Sequence, residues 1–320
     1  MATLDPAAFR DGAYLLRLRA TDMAARSATA TTVIDLFVPG REALVVTDLD
    51  ADGWTLRRRY DPLDTTPGLL GLGWSLAGFE LDATDNLQPD PLAGIGAFAA
   101  YAAGTRLYVD LPDGTRGAFT FAPLPAGTVY RPAWTPDAGV GATLQTAPVS
   151  LEAVAGAFVQ SGTGLPYNPA DARLGAAFGY ALTLPDGTVW EYAPDQSLTA
   201  IGLPDGTRRD LGDSGAGSLQ GLGLHLSTDS AGRILSAVTP GAAVHYRYTA
   251  AGCLFATVTA PQLAAGAELA HSWYGCDADG RLQAAASSDP ANPGFVLASG
   301  VQRPLTVNAG VTRAFLASPA

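Results

Sequence analysis

The chain has 320 residues, a formal net charge of −11, 48% hydrophobic residues, 37 glycines and 23 prolines. That apolar share excludes a disordered chain, and the glycine and proline content indicates many tight turns. The acidic balance argues against a nucleic-acid partner, and because every basic residue is arginine, a P-loop lysine, a Schiff base and a Ser-Lys pair are excluded.

The first residues, Met1-Ala2-Thr3-Leu4-Asp5-Pro6, carry neither a basic n-region nor an apolar h-region. No stretch reaches the roughly 18 apolar residues of a membrane helix, so no membrane span is expected. Residues 13–38 read as a hairpin, with alternation over Ala13–Thr21, a turn at Asp22–Ser27 and alternation again to Val38.

The run Asp48-Leu49-Asp50-Ala51-Asp52-Gly53 has the alternate carboxylates and turning glycine that open a calcium loop. Its twelfth position is Arg59, where a bidentate glutamate is required. An acidic hairpin turn between Leu44-Val45-Val46 and Trp54-Thr55-Leu56 explains the same residues. Next come Arg57-Arg58-Arg59-Tyr60-Asp61 and Pro67-Gly68-Leu69-Leu70-Gly71-Leu72-Gly73-Trp74-Ser75. In a strand Arg58 points opposite to Arg57 and Arg59, and an acidic neighbour is its expected partner.

Leu-Pro-Asp-Gly-Thr occurs three times, at 111–115, 184–188 and 203–207, each between short apolar runs. Asp113-Gly114, Asp186-Gly187 and Asp205-Gly206 are therefore expected at hairpin turns, of type I′ with both residues at positive φ. Later, Asp229-Ser230-Ala231-Gly232-Arg233, Thr249-Ala250-Ala251-Gly252-Cys253 and Asp277-Ala278-Asp279-Gly280-Arg281 align on their glycines. Aromatic strands His245-Tyr246-Arg247-Tyr248 and Trp273-Tyr274 precede the last two. A strand, a turn that needs a left-handed glycine and an apolar return strand form the repeating unit.

Catalytic arrangements are poorly supplied. Ser214, in Gly212-Asp213-Ser214-Gly215, would need a histidine earlier in the chain, whereas His225, His245 and His271 all follow it. Ser75 sits in an approximate nucleophile elbow, but no helical periodicity surrounds it. The histidines lack metal spacing and read as packed or edge residues of strands. Trp54, Trp74, Trp134, Trp190 and Trp273 read as core anchors, with a sugar platform as the alternative. Cys253 and Cys276 allow one disulfide.

The Arg-x-Tyr-Asp strand at 58–61, the Gly71-Leu72-Gly73-Trp74 turn, Ser161–Asp171, Leu184–Tyr192 and the glycine-aligned turns resemble the Rhs/YD-repeat family. The hairpin 13–38 resembles the end of an immunoglobulin-like or fibronectin-like sandwich. The resemblance implies an all-β fold of antiparallel hairpin repeats forming part of a spiral β-shell. It divides the chain into a sandwich remnant (1–38), an N-terminal shell region (39–180) and degenerate, incomplete repeats (181–320).

Its implied role is a non-catalytic wall that encapsulates or presents a toxin, without cofactor and at a secreted or cell-surface location. The partner would be the remaining shell or toxin chain. Open strand edges at 13–38 and 295–316 imply self-association, since 301–316 carries only Arg303 and Arg313 as gatekeepers. The alternative from the residues is a secreted carbohydrate-binding or calcium-dependent adhesion module.

Overall fold

The computed structural model describes residues 9–36, 44–64, 67–87, 99–171, 174, 178–210, 224–261, 270–287, 294–298 and 301–304. All regular structure among them is antiparallel β-sheet, without a helix. No helix is long and apolar enough to cross a membrane. The chain divides into two compact units, Met1–Glu42 with Gly78–Arg209, and Ala43–Ala77 with Asp210–Ala320. These bounds differ from the expected divisions after residues 38 and 180. Strand Thr143–Thr146 pairs with Tyr180–Thr183, which pairs with Val189–Tyr192, so a boundary at 180 would cut a continuous ladder.

In the first unit, strands Gly12–Thr21 and Ser27–Leu36 form the expected hairpin. Its base is tied to the body of that unit. Arg10 pairs with Asp82 at 2.5 Å and Asp110 at 3.4 Å, and Asn86 Nδ2 donates to Asp35 Oδ2 at 3.2 Å. The body holds a four-stranded sheet running from Trp134–Pro136 through Arg116–Phe121 and Arg106–Asp110 to Thr84–Asp85. A second sheet joins Leu124–Ala126, Val129–Arg131, Leu151–Val154 and Ala157–Gln160. The third orders Thr143–Thr146, Tyr180–Thr183, Val189–Tyr192, Leu198–Gly202 and Arg208–Asp210. Tyr101, Phe121, Leu151, Phe158, Tyr167 and Phe178 form a buried aromatic-rich core.

In the second unit, Leu44–Ala51, Trp54–Tyr60 and Trp74–Leu76 form a three-stranded sheet. Eight strands follow one another in space as in sequence: His225–Thr228, Ile234–Val238, Ala242–Tyr248, Leu254–Pro261, Ala270–Cys276, Leu282–Ser287, Gly294–Ala298 and Val301–Pro304.

One turn geometry recurs in both units, and it corrects the expected type I′ assignment. Leu111 N donates to Thr115 O at 2.8 Å while Gly114 N donates to Leu111 O at 2.9 Å. Residues 184–188 and 203–207 bond in the same way. Gly114, Gly187 and Gly206 have φ of +87°, +86° and +85°, whereas Asp113, Asp186 and Asp205 are not among the residues at positive φ. The proline fits this geometry, although residues 22–26 and 277–281 adopt the same bonding without one. It presets the first turn position, the aspartate takes the second, and the glycine follows in the left-handed region as a three-residue loop with a G1-type bulge. Each aspartate accepts the N–H two residues on, at 2.8 Å from Thr115, 2.9 Å from Thr188 and 2.8 Å from Thr207.

Residues 229–233, 249–253 and 277–281 have the same backbone bonding, with Gly232, Gly252 and Gly280 at φ +81°, +84° and +81°. Here the side chain at the first turn position closes the loop. Asp229 Oδ1 accepts from Ala231 N and Arg233 N, each at 2.9 Å, and its Oδ2 accepts from Arg233 Nε at 2.8 Å. Bonding to the Arg233 side chain holds the Asp229 carboxyl below its ordinary pKa. The carboxylate therefore strengthens this turn above the ordinary range near pH 4, and that support is lost as pH falls through the lowered value. The protection of the Ala231 and Arg233 amides against exchange, relative to the intrinsic rate at each pH, is expected to fall on that descent more than that of Gly252, whose loop is closed by Thr249.

The hairpin turn 22–26 has this bonding too, but Ala25 occupies the left-handed position at φ 60°. Ala25→Gly is expected to stabilise the hairpin by about 0.5–1 kcal/mol, the relief of left-handed strain less the entropy glycine loses. Slower amide exchange across Gly12–Leu36 would show it.

Candidate functional site

The second unit encloses a charged centre. Strand Trp54–Tyr60 turns Trp54, Leu56, Arg58 and Tyr60 inward, as strand alternation requires. Arg58 is 0% exposed. Its Nε donates to Asp48 Oδ2 at 2.5 Å and its Nη2 to Tyr274 Oη at 2.6 Å. The guanidinium carbon lies 4.7 Å from the Trp74 ring centroid and 4.9 Å from that of Tyr274. Tyr246 donates its hydroxyl to Asp48 Oδ2 at 2.8 Å.

Burial opposes the Arg58 charge, but Asp48, Tyr274 and Tyr246 outweigh it and hold the guanidinium above its ordinary pKa. Burial and then Asp48 raise the Tyr246 phenol well above its usual value. A buried ion pair clamped between aromatic rings is organised for structure, since each charged group is held by the other.

The three calcium-candidate carboxylates do not converge. The ladder register shifts between Thr47 and Leu49, and this irregularity buries Asp48 against Arg58. Asp50 accepts from Thr55 Oγ1 at 2.9 Å and Asp52 from Gly241 N at 2.7 Å. Asp52 and Gly53, with φ of 54° and 78°, form the tight two-residue turn between paired Ala51 and Trp54. Among the described residues, no group of three or more His, Cys, Asp or Glu side chains is placed to hold a metal.

Ser75 lies in strand Trp74–Leu76 opposite Arg59. Ser214 falls outside the described residues. His225, His245 and His271 lie in strands of the eight-stranded sheet, as their surroundings in the sequence suggest. Trp54 and Trp74 are buried, and Trp190 packs on Phe79 with ring centroids 6.4 Å apart. Cys253 and Cys276 form a disulfide with Cα atoms 6.6 Å apart, joining neighbouring strands of the sheet. Breaking it in a Cys253→Ala, Cys276→Ala double variant is expected to cost about 3 kcal/mol, from the closure entropy of a loop of this length. Denaturant melts with and without reductant test this, since the double variant should be insensitive to reductant.

In the first unit, an open groove of about 820 Å³ is lined by residues of 131–134, 143–146 and 148–150. The half-buried indole of Trp134 forms part of its wall, braced from behind by Phe121 at 5.3 Å and Tyr101 at 5.9 Å between centroids. Its Nε1 makes a long 3.5 Å bond to Thr146 Oγ1, which is 2.7 Å from the Tyr167 hydroxyl. Thr143, Gln145 and Ser150 are exposed along the groove, and Arg131 is the ionisable residue of the lining. No single motif marked this place; the clustering of Pro132, Trp134, Pro136, Gln145 and Pro148 was its available signal.

No protein-family model matches the chain, and no curated protein matches it.

Proposed function

We propose that the chain is a non-catalytic structural segment of a shell of the Rhs/YD-repeat type, which encapsulates or presents a toxin. The observation that carries this reading is the eight-stranded sheet, whose spatial order equals its sequence order and whose first, second and third glycine-aligned loops share one turn geometry. Such a sheet grows by adding hairpins at an edge, so wall area increases with repeat number without any change of local design. The disulfide beside the second of these loops suits an oxidising, extracytoplasmic destination.

The partner under this reading is the remaining shell or toxin chain, and the route to it is strand pairing. Strand His225–Thr228 stands at the outside of the eight-stranded order, and the Gly12–Leu36 ribbon pairs only with itself among the described residues. That ribbon also exposes Leu15, Leu16 and Leu18, the last at 72%. Open ladders with exposed apolar residues recruit further strands. Size-exclusion chromatography with light scattering on the purified 320-residue chain is expected to show concentration-dependent association. A monomer at every concentration would overturn the reading of the chain as a segment of a larger wall.

A further inference from the structure

The groove of the first unit lies between two sheet edges. Strand Trp134–Pro136 is outermost in the four-stranded sheet and strand Thr143–Thr146 is outermost in the five-stranded one. An extended peptide would be the first ligand to consider for such edges. The prolines argue against it. Bonds from Ala122 N to Ala133 O and from Asp137 N to Ala118 O show that residues 133, 135 and 137 face the inner ladder. Pro136 therefore stands on the outward side, where it has no N–H to give. Pro132 precedes the same edge, and Pro148 follows the other. Proline at an edge blocks strand addition while leaving carbonyl oxygens as acceptors.

A wall with spare acceptors, neutral side chains and one rigid aromatic suits a ligand whose many hydroxyls both donate and accept. The groove volume lies within the rough 300–1,000 Å³ range of ligand clefts. Thr143 and Gln145 present a hydroxyl and an amide from one lip, and the indole of Trp134 presents an apolar surface already fixed by its aromatic neighbours. Arg131, with no carboxylate partner among the described residues, adds a single cationic fork. A guanidinium binds a carboxylate in two parallel hydrogen bonds.

We propose that this groove binds an acidic oligosaccharide, with Trp134 against a sugar ring, Gln145 and Thr143 bonding its hydroxyls, and Arg131 holding its carboxylate. This site is independent of the shell reading. The chain's charge of −11 repels anions at long range, so recognition rests on the local Arg131 contact and weakens with salt.

The test is isothermal titration calorimetry of the full chain with tetragalacturonate, sialyllactose, neutral cellotetraose and an alternating Thr-Val hexapeptide. The first two separate a polysaccharide uronate from a glycoconjugate sialate. Saturable binding of either acidic sugar is expected, about tenfold tighter than cellotetraose and about tenfold weaker in Arg131→Gln. Gln145→Ala, on the opposite lip and equally exposed, should also weaken it. The proposal is overturned if neither acidic sugar binds at millimolar concentration, if cellotetraose or the hexapeptide binds as well, or if both variants bind like the parent chain.

Discussion

Arg58→Ala is expected to destabilise the second unit by about 3–5 kcal/mol, the cost of leaving a buried charge without its partner. Asp48 is the residue left stranded, because its Oδ2 would lose the Arg58 Nε–H and keep the Tyr246 hydroxyl. The variant also empties the space between Trp74 and Tyr274, whose rings now sandwich the guanidinium. Asp48→Asn should cost less than Arg58→Ala, since the amide keeps the shape and an acceptor for Arg58. Replacing both ions, as Asp48→Leu with Arg58→Met, should recover much of the loss, because apolar residues of similar volume are often neutral substitutes for a buried pair. Denaturant unfolding followed by tryptophan fluorescence measures all four proteins. A single Arg58→Ala variant as stable as the parent would show that the pair contributes nothing to this core.

Part of this architecture was legible from residue order. The hairpin 13–38, the all-β class and the turns at Gly114, Gly187, Gly206, Gly232, Gly252 and Gly280 follow from alternation and from the left-handed demand on glycine. The turn type did not follow, since an Asp-Gly pair alone does not fix whether the loop has two residues or three. Asp52-Gly53 adopts the two-residue turn expected of such a pair, whereas Asp279-Gly280, also without a proline before it, adopts the longer loop. Burial of charge was also beyond local pattern. Strand alternation separates Arg58 from Arg59, yet both are buried, and the Arg58 hydroxyl partner lies 216 residues away. The grouping of the chain into two units also lay beyond local pattern: ladders such as Thr143–Thr146 with Tyr180–Thr183 are long-range pairings that composition does not record. Its sequence surroundings do not set Trp134 apart from the other tryptophans, and the placement of two strand edges around it gives it a groove to face.

The Gly71-Leu72-Gly73-Trp74 turn leaves no room for a side chain at position 73. Gly73 adopts φ +72°, and a Cβ there would lie 2.8 Å from Tyr60 Cε2 and 2.9 Å from the backbone oxygen of Asp61. Neither neighbour can yield. Tyr60 is packed on Trp74 with centroids 4.9 Å apart and its hydroxyl accepts from Leu282 N at 2.9 Å. Asp61 N in turn donates to Gly73 O at 2.9 Å, so moving the backbone breaks the bond that sets the turn. Gly73→Ala therefore combines left-handed strain of about 1–2 kcal/mol with overpacking of about 1–3 kcal/mol, and about 4 kcal/mol in total is expected. Gly104→Ala is the control, since at φ +91° it carries the same kind of backbone strain but its Cβ would meet nothing within 4 Å. The control should lose only the first of the two contributions. Equal losses in the two variants, measured by denaturant unfolding, would remove the close approach at Tyr60 and Asp61 as the reason for glycine at position 73.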